Sequence, residues 1–339
     1  MKITYLIGNG FDRALDGALT RTKGKSLVGT SYTKVYGFLD YFDFNKNELK
    51  DNVFVNDLKK TSKKFFGQYL FSDWEKLMVN RFNKHYSPSK FNKLFKEKDQ
   101  AVGYIKEVFR LWENGFDNSV IDSIYPEFEE SIINLFSRIS PSNLSTITNS
   151  LPQMTTSNPI QIKFVTFNGT NVLERLVNKL ASSHKKITIN STQYNLDIDT
   201  NIEYVHSNIH QPDDIYLAKA FGTTDDIILN RISKKTNRSN ELKKTNSSFI
   251  TCIDDANLFV IHGLTLGITD GQYMKWIIDR VENGAIALDL PLRSTNTRNR
   301  KKQYTNFCTT TEAKSRVIVD VNPTYVSSVP GPGSLIFHF

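Results

Sequence analysis

Short runs dense in β-branched and aromatic residues recur along this chain, and stretches of helical spacing separate them. Lys2–Ile7 (KITYLI), the run IQIKFVTFN ending in Asn168, the short IEYVHS, ANLFVIHG and SRVIVDVNP read as strands. Between them, TNVLERLVNKLASS places Val172, Leu173, Leu176, Val177 and Leu180 at helical spacing, and QYMKWIIDRV does the same further on. Alternating strands and helices join neighbours through right-handed crossovers. The pattern therefore predicts an α/β fold with a mainly parallel sheet.

After the first strand the spacing is helical, first in a short segment and then for about 100 residues from about Asn45 to Ile147. GTSYTKVYGFLDYF has apolar positions at Tyr32, Val35, Tyr36 and Leu39. FSDWEKLMVNRF offers Ser72 or Asp73 as a cap, with Trp74, Leu77, Met78 and Phe82 on one face. YIKEVFRLWENGF and PEFEESIINLFSRI continue the theme, with Pro126 read as a helix start. Residues 45–147 are thus expected to form a helical insertion or cap, dividing a domain made of residues 1–44 and 148–339.

The content of hydrophobic residues, 39% of 339, is enough for a substantial core. No apolar run approaches the roughly 18–20 residues of a membrane span, so no membrane partner is expected. MKITYLIG reads as a strand rather than a signal peptide. Cys252 and Cys308 fit free thiols in a reducing cytoplasm, and two cysteines cannot form a four-cysteine zinc site. The formal charge of +8 favours anionic partners. Much of it lies in NRISKKTNRSNELKKTNSS and RSTNTRNRKKQY, which read either as solvated loops or as a nucleic-acid contact.

The first strand ends in GNGFD. A turn between a parallel strand and a helix is a common phosphate site, because glycines let the backbone approach an anion and the helix offers unpaired N–H groups. Gly8, Asn9 and Gly10 occupy that turn, and Asp12 either caps the helix or accepts from a ribose. Arg13 stands where a dinucleotide fingerprint has its third glycine, so a plain tight turn is the competing reading. No Walker A lysine follows, and no Gly-x-Ser-x-Gly elbow occurs.

LIGNGFD, TSYTKVYGFL, WEKL, FNGTNVLE, VHSNIH and HGLTLGITDGQY appear in the order of the landmarks of the bacteriophage abortive infection family AbiH, which the sequence resembles. Departures from that pattern stand at Gly169, Ser207 and Leu264. More distantly, the same landmarks resemble sirtuin-like NAD-binding domains, with Thr166, Asn168, His206, Gly263, Thr265 and Asp270 at the matching positions. These resemblances imply a Rossmann-like domain in a cytoplasmic anti-phage effector. They imply an NAD or related nucleotide ligand, with glycosidic hydrolysis as the chemistry open to it, a phage-derived trigger and a homo-oligomer. The alternatives are a nucleic-acid binder or nuclease working through the basic loops, and a nucleotide sensor without turnover.

For that hydrolysis Asn168 would hold a ribose hydroxyl and a water, and His206 would act as general base. The competing readings are a helix cap for Asn168 and a hydrogen-bonded histidine near a strand end for His206. Gly8, Asn9, Gly10, Asp12, Thr166, Gly263, Thr265 and Asp270 would contact the nucleotide. His206 and His210 are four apart, but HSNIH lacks the glutamate of a zinc protease and no metal is expected.

Overall fold

A computed structural model describes residues 1–8, 10–12, 14–15, 49–57, 81, 87–183, 185–205, 209–210, 248–264, 271–291 and 297–320. Eight strands form one mostly parallel sheet. They are β1 (Lys2–Ile7), β2 (Ile160–Thr166), β3 (Lys186–Ile189), β4 (Thr192–Ile198), β5 (Glu203–Tyr204), β6 (Leu258–His262), β7 (Ile286–Asp289) and β8 (Val317–Val319). Their order is β3-β4-β2-β1-β6-β7-β8, with β5 pairing the end of β2 beyond β4. The expected α/β fold with a mainly parallel sheet is what the chain adopts.

Period-two alternation sends the strand residues to two faces. Ile3, Tyr5 and Ile7 join Ile162 and Phe164 on one face, while Leu6, Val165, Phe259 and Ile261 face the other way. Tyr5 lies opposite Phe164 in register and stacks on it with ring centroids 5.2 Å apart. Both faces are covered, which is why these strands read as near-continuous apolar runs.

The first face is packed by α1 (Pro88–Asn114), α2 (Asn118–Ile133) and α4 (Val172–Ala181), through Trp112, Phe128, Ile132, Val172, Leu176 and Leu180 among others. The second face is packed by α5 (Ser248–Asp254), α6 (Gly271–Glu282), α7 (Thr297–Thr305) and α8 (Thr311–Ser315), through Cys252, Met274, Ile277, Tyr304 and Ala313. Both cysteines are free and buried. Helix α3 (Pro141–Ser150) is capped from a distance. Asp320, just past β8, accepts from the Ser140 N–H and hydroxyl, both at 2.8 Å, and from Asn143 at 2.9 Å.

Two local expectations are corrected, and one element was missed. Pro126 does not start a helix but lies inside α2, which begins at Asn118 with the Asp117 side chain accepting from the Val120 N–H. Pro126 is exposed, so its missing N–H leaves the bond deficit on the solvent side. The basic stretch read as a loop is helical from Thr297 to Thr305, because Tyr304 is buried and anchors it. The β3–β4 hairpin was not anticipated. Its signal was the alternation of KITI around Asn190 and Ser191, whose φ values of 47° and 65° suit a two-residue primed turn. The segments GTSYTKVYGFLDYF and NRISKKTNRSNELKKTNS, and all of FSDWEKLMVNRF but Arg81, lie outside the described residues. Among the described residues no helix is long and apolar enough to cross a membrane.

Candidate functional site at the strand ends

The sheet order reverses at β1: β2 and β4 lie on one side, β6, β7 and β8 on the other. In open parallel sheets such a switch point parts the connecting segments and leaves a crevice at the carboxyl ends of the strands. Gly8, Asn168 and Gly263 each stand at one of those ends, next to β1, β2 and β6.

The two turns flanking this point meet backbone to backbone. The Gly8 N–H donates to the His262 carbonyl and the Gly10 N–H to the Gly263 carbonyl, each at 2.9 Å. A Cβ on Gly8 would fall 2.6 Å from the Leu264 Cα, and one on Gly263 would fall 2.6 Å from the Gly10 Cα. Gly263 also has φ +61°, which favours glycine. The close approach these glycines permit is therefore to each other's turns, and the Gly8 and Gly10 amides are committed within the fold.

Thr166 and Asn168 finish β2 against the same peptide. The Asn168 N–H donates to the Thr166 hydroxyl at 3.1 Å, and that hydroxyl reaches the Ile7 carbonyl at 3.4 Å. The Asn168 side-chain nitrogen donates to the Gly8 carbonyl at 3.3 Å. Because that partner can only accept, it fixes which end of the amide is nitrogen. The other end, Oδ1, is buried without a hydrogen-bond partner among the described residues, in a residue 2% exposed. Buried acceptors are nearly always satisfied, by protein or by ordered water, and this one stands just past the carboxyl end of β2. Asp12 is buried in the helical residues that follow Gly10.

Beside this loop sits a hydrogen-bonded carboxylate–imidazole pair. Glu113, in the last turn of α1, accepts from His210 Nε2 at 2.6 Å and, with its other oxygen, from the Asn171 N–H at 2.9 Å. The Ile209 N–H donates to the Gly169 carbonyl at 2.9 Å, so residues 209–210 are pinned to the β2–α4 loop twice. The carboxylate is nearly buried while the imidazole is half exposed. No local pattern in sequence identifies Glu113, since it and His210 lie 97 residues apart.

On the far side of Gly263, Asp289 ends β7. Arg300 grips it through two nitrogens and donates to the Leu264 carbonyl at 3.2 Å, and the Tyr304 hydroxyl donates to the same carboxylate at 2.9 Å. Burial pushes the Asp289 carboxyl up, against the opposing pull of Arg300 and Tyr304.

Of the residues expected in the site, Gly8, Gly10, Thr166, Asn168 and Gly263 are joined by direct contacts, and Asp12 follows them in the chain. Asn9, His206, Thr265 and Asp270 lie outside the described residues. Among the described residues no group of three or more histidine, cysteine, aspartate or glutamate side chains is placed to hold a metal ion.

The family model described as "Bacteriophage abortive infection AbiH" matches residues 4–288, a span that runs from within β1 to within β7 and takes in the ends of β1, β2 and β6. The chain belongs to the AbiH family. Its family is one of anti-phage abortive infection. No curated protein and no solved structure matches the chain. The AbiH span includes the Gly8 turn, Asn168, the Glu113–His210 pair and the Gly263 turn, and it ends before Arg300.

Proposed function

We propose that this AbiH protein binds NAD or a related nucleotide at the strand-end crevice and hydrolyses its glycosidic bond, depriving an infected cell of the cofactor. The observation that carries this reading is the buried Asn168 Oδ1, an acceptor with no partner held at the switch point by the Gly8 carbonyl. The parallel strands β4-β2-β1-β6-β7-β8 follow the sequential pattern 3-2-1-4-5-6 of dinucleotide-binding Rossmann folds, which supports a Rossmann-like, sirtuin-like domain. In this reading residues 45–147 act as its helical cap, and a phage-derived trigger acts on the protein in the cytoplasm.

In the reaction, water bonds to the ribose carbon as the bond to nicotinamide breaks. The electron pair of that bond leaves with the nicotinamide nitrogen, and the proton of the water passes to a base. Asn168 Oδ1 accepts from the water or a ribose hydroxyl and orients it. His206 takes the proton, as a histidine titrating near neutrality can. The Glu113–His210 pair and the Ile209–Gly169 bond anchor the chain four residues or fewer from His206. The Gly8 and Gly10 amides do not hold the phosphates in this scheme, since they serve His262 and Gly263.

The test is incubation of purified protein with NAD, with and without infected-cell lysate, followed by product analysis. Release of nicotinamide and ADP-ribose is expected, and Asn168→Ala or His206→Ala should abolish it with the fold intact. Wild-type turnover in both variants would overturn the site. NAD binding by calorimetry without turnover would leave a sensor instead.

A further inference from the structure

Helix α7 is fastened through Arg300 and Tyr304, and it presents Arg298 and Lys302 to solvent. Arg300 and Tyr304, one turn apart, both bond Asp289. At 100° per residue, Arg298 and Lys302 lie on the side away from these anchors and Lys301 flanks them. Arg298 and Lys302 are accordingly exposed and Lys301 half-buried. Among the described residues none of the three side chains makes an ion pair or hydrogen bond.

This arrangement is electrostatically unfavourable on its own. Positions i, i+3 and i+4 bring three like charges together on one helix face. Arg298 and Arg300 also stand in the first turn, where the helix dipole disfavours cations. The helix has no acidic residue, and residues 297–316 hold six cations against the single carboxylate of Glu312. A polyanion along this face relieves the repulsion and offsets the charge of Arg298 in the first turn, while Arg300 is already met by Asp289. Two residues past the helix, Phe307 is 44% exposed, one of two large apolar side chains so exposed among the described residues. Its N–H donates to the Tyr304 carbonyl at 3.0 Å, which holds it close against the end of the helix.

Cations that track phosphates and an open aromatic ring are the elements of single-strand recognition, where bases stack and the backbone is neutralised. We propose that α7 and Phe307 form a docking surface for a single-stranded nucleic acid, with Arg298, Lys301 and Lys302 on its phosphates and Phe307 under a base. A duplex would use the cations and leave the ring idle. The surface is fastened by Arg300 to the Leu264 carbonyl and to Asp289. It is independent of the nucleotide reading, because its residues are outside that site.

The experiment is fluorescence anisotropy of the full-length protein with a labelled oligothymidylate of about 15 nucleotides, from about 50 to about 200 mM salt. Wild type should bind, with affinity falling linearly in log–log form. Arg298→Ala/Lys301→Ala/Lys302→Ala should weaken binding about tenfold or more at low salt and flatten the slope by about 2, at about 0.7 for each phosphate that is no longer neutralised. Phe307→Ala should weaken it about fivefold or more and leave the slope unchanged. If circular dichroism shows the triple variant misfolded, Lys302→Glu alone should flatten the slope by about 1 or more. Absence of binding, wild-type behaviour of folded charge variants, or equal competition by duplex DNA or phosphatidylserine vesicles would each overturn the proposal.

Discussion

The Asn168 side chain bonds the Gly8 carbonyl at 3.3 Å across 160 residues of chain, and so ties the end of β2 to the end of β1. The same carbonyl accepts from the Phe11 N–H at 3.0 Å, while the Gly8 N–H serves His262. The Gly8 peptide is thus held by the next helical turn and by both neighbouring strand ends. Asn168→Ala would leave that carbonyl satisfied by Phe11 and would remove an orphan acceptor. Its cost in urea unfolding should therefore stay within about 1 kcal/mol. Asn168→Asp should cost more, since it buries a carboxylate facing a carbonyl.

Gly263→Ala should be strongly destabilising, by about 2 kcal/mol or more, because it combines a left-handed φ with a Cβ 2.6 Å from the Gly10 Cα. Gly284 provides the comparison, having φ +108° and nothing within 4 Å of an added Cβ. Gly284→Ala carries backbone strain alone. The larger loss in thermal unfolding should belong to Gly263→Ala, and equal losses would show that the two turns do not press on each other.

Removing Arg300 leaves Asp289 buried without its counter-ion. Arg300→Met should cost about 3–5 kcal/mol, and adding Asp289→Asn should recover part of that loss. A double-mutant cycle by chemical denaturation measures the coupling. Additive effects would mean that the pair contributes nothing beyond its separate parts.

Glu282 sets a pH dependence. The Thr310 hydroxyl at 2.6 Å, then the Thr309 N–H at 2.5 Å, hold its carboxyl at about 2, below the ordinary 4.5. A carboxylate depressed in the folded state adds stability that is full above its unfolded value and is lost as pH falls toward the folded one. The melting temperature should therefore drop between about pH 5 and pH 2, and Glu282→Gln should flatten that part of the curve. Identical profiles for the two proteins would remove Glu282 from the account.

The strands β1, β2, β6 and β8 and helix α4 were legible because burial on both sheet faces, or on one helix stripe, writes itself as apolar spacing. Helix α7 was not, because its sequence is polar except at Tyr304 and its helicity depends on an anchor at Asp289. Within the site, Gly8, Thr166, Asn168 and Gly263 stood out as turn and strand-end residues. Glu113 did not, since nothing local distinguishes it from the solvated glutamates of other helices.

The sequence by itself determined the class of fold and the AbiH membership, because both reside in local periodicity and short ordered motifs. Only the tertiary structure decided what the glycines at the first turn are for. Their neighbours, His262 and Gly263, arrive from more than 250 positions away, through parallel pairing that no local pattern encodes. The same holds for the orphaned Asn168 oxygen and the Glu113–His210 pair. Whether a polar atom is satisfied depends on which distant segments pack around it, and that is settled when the sheet assembles.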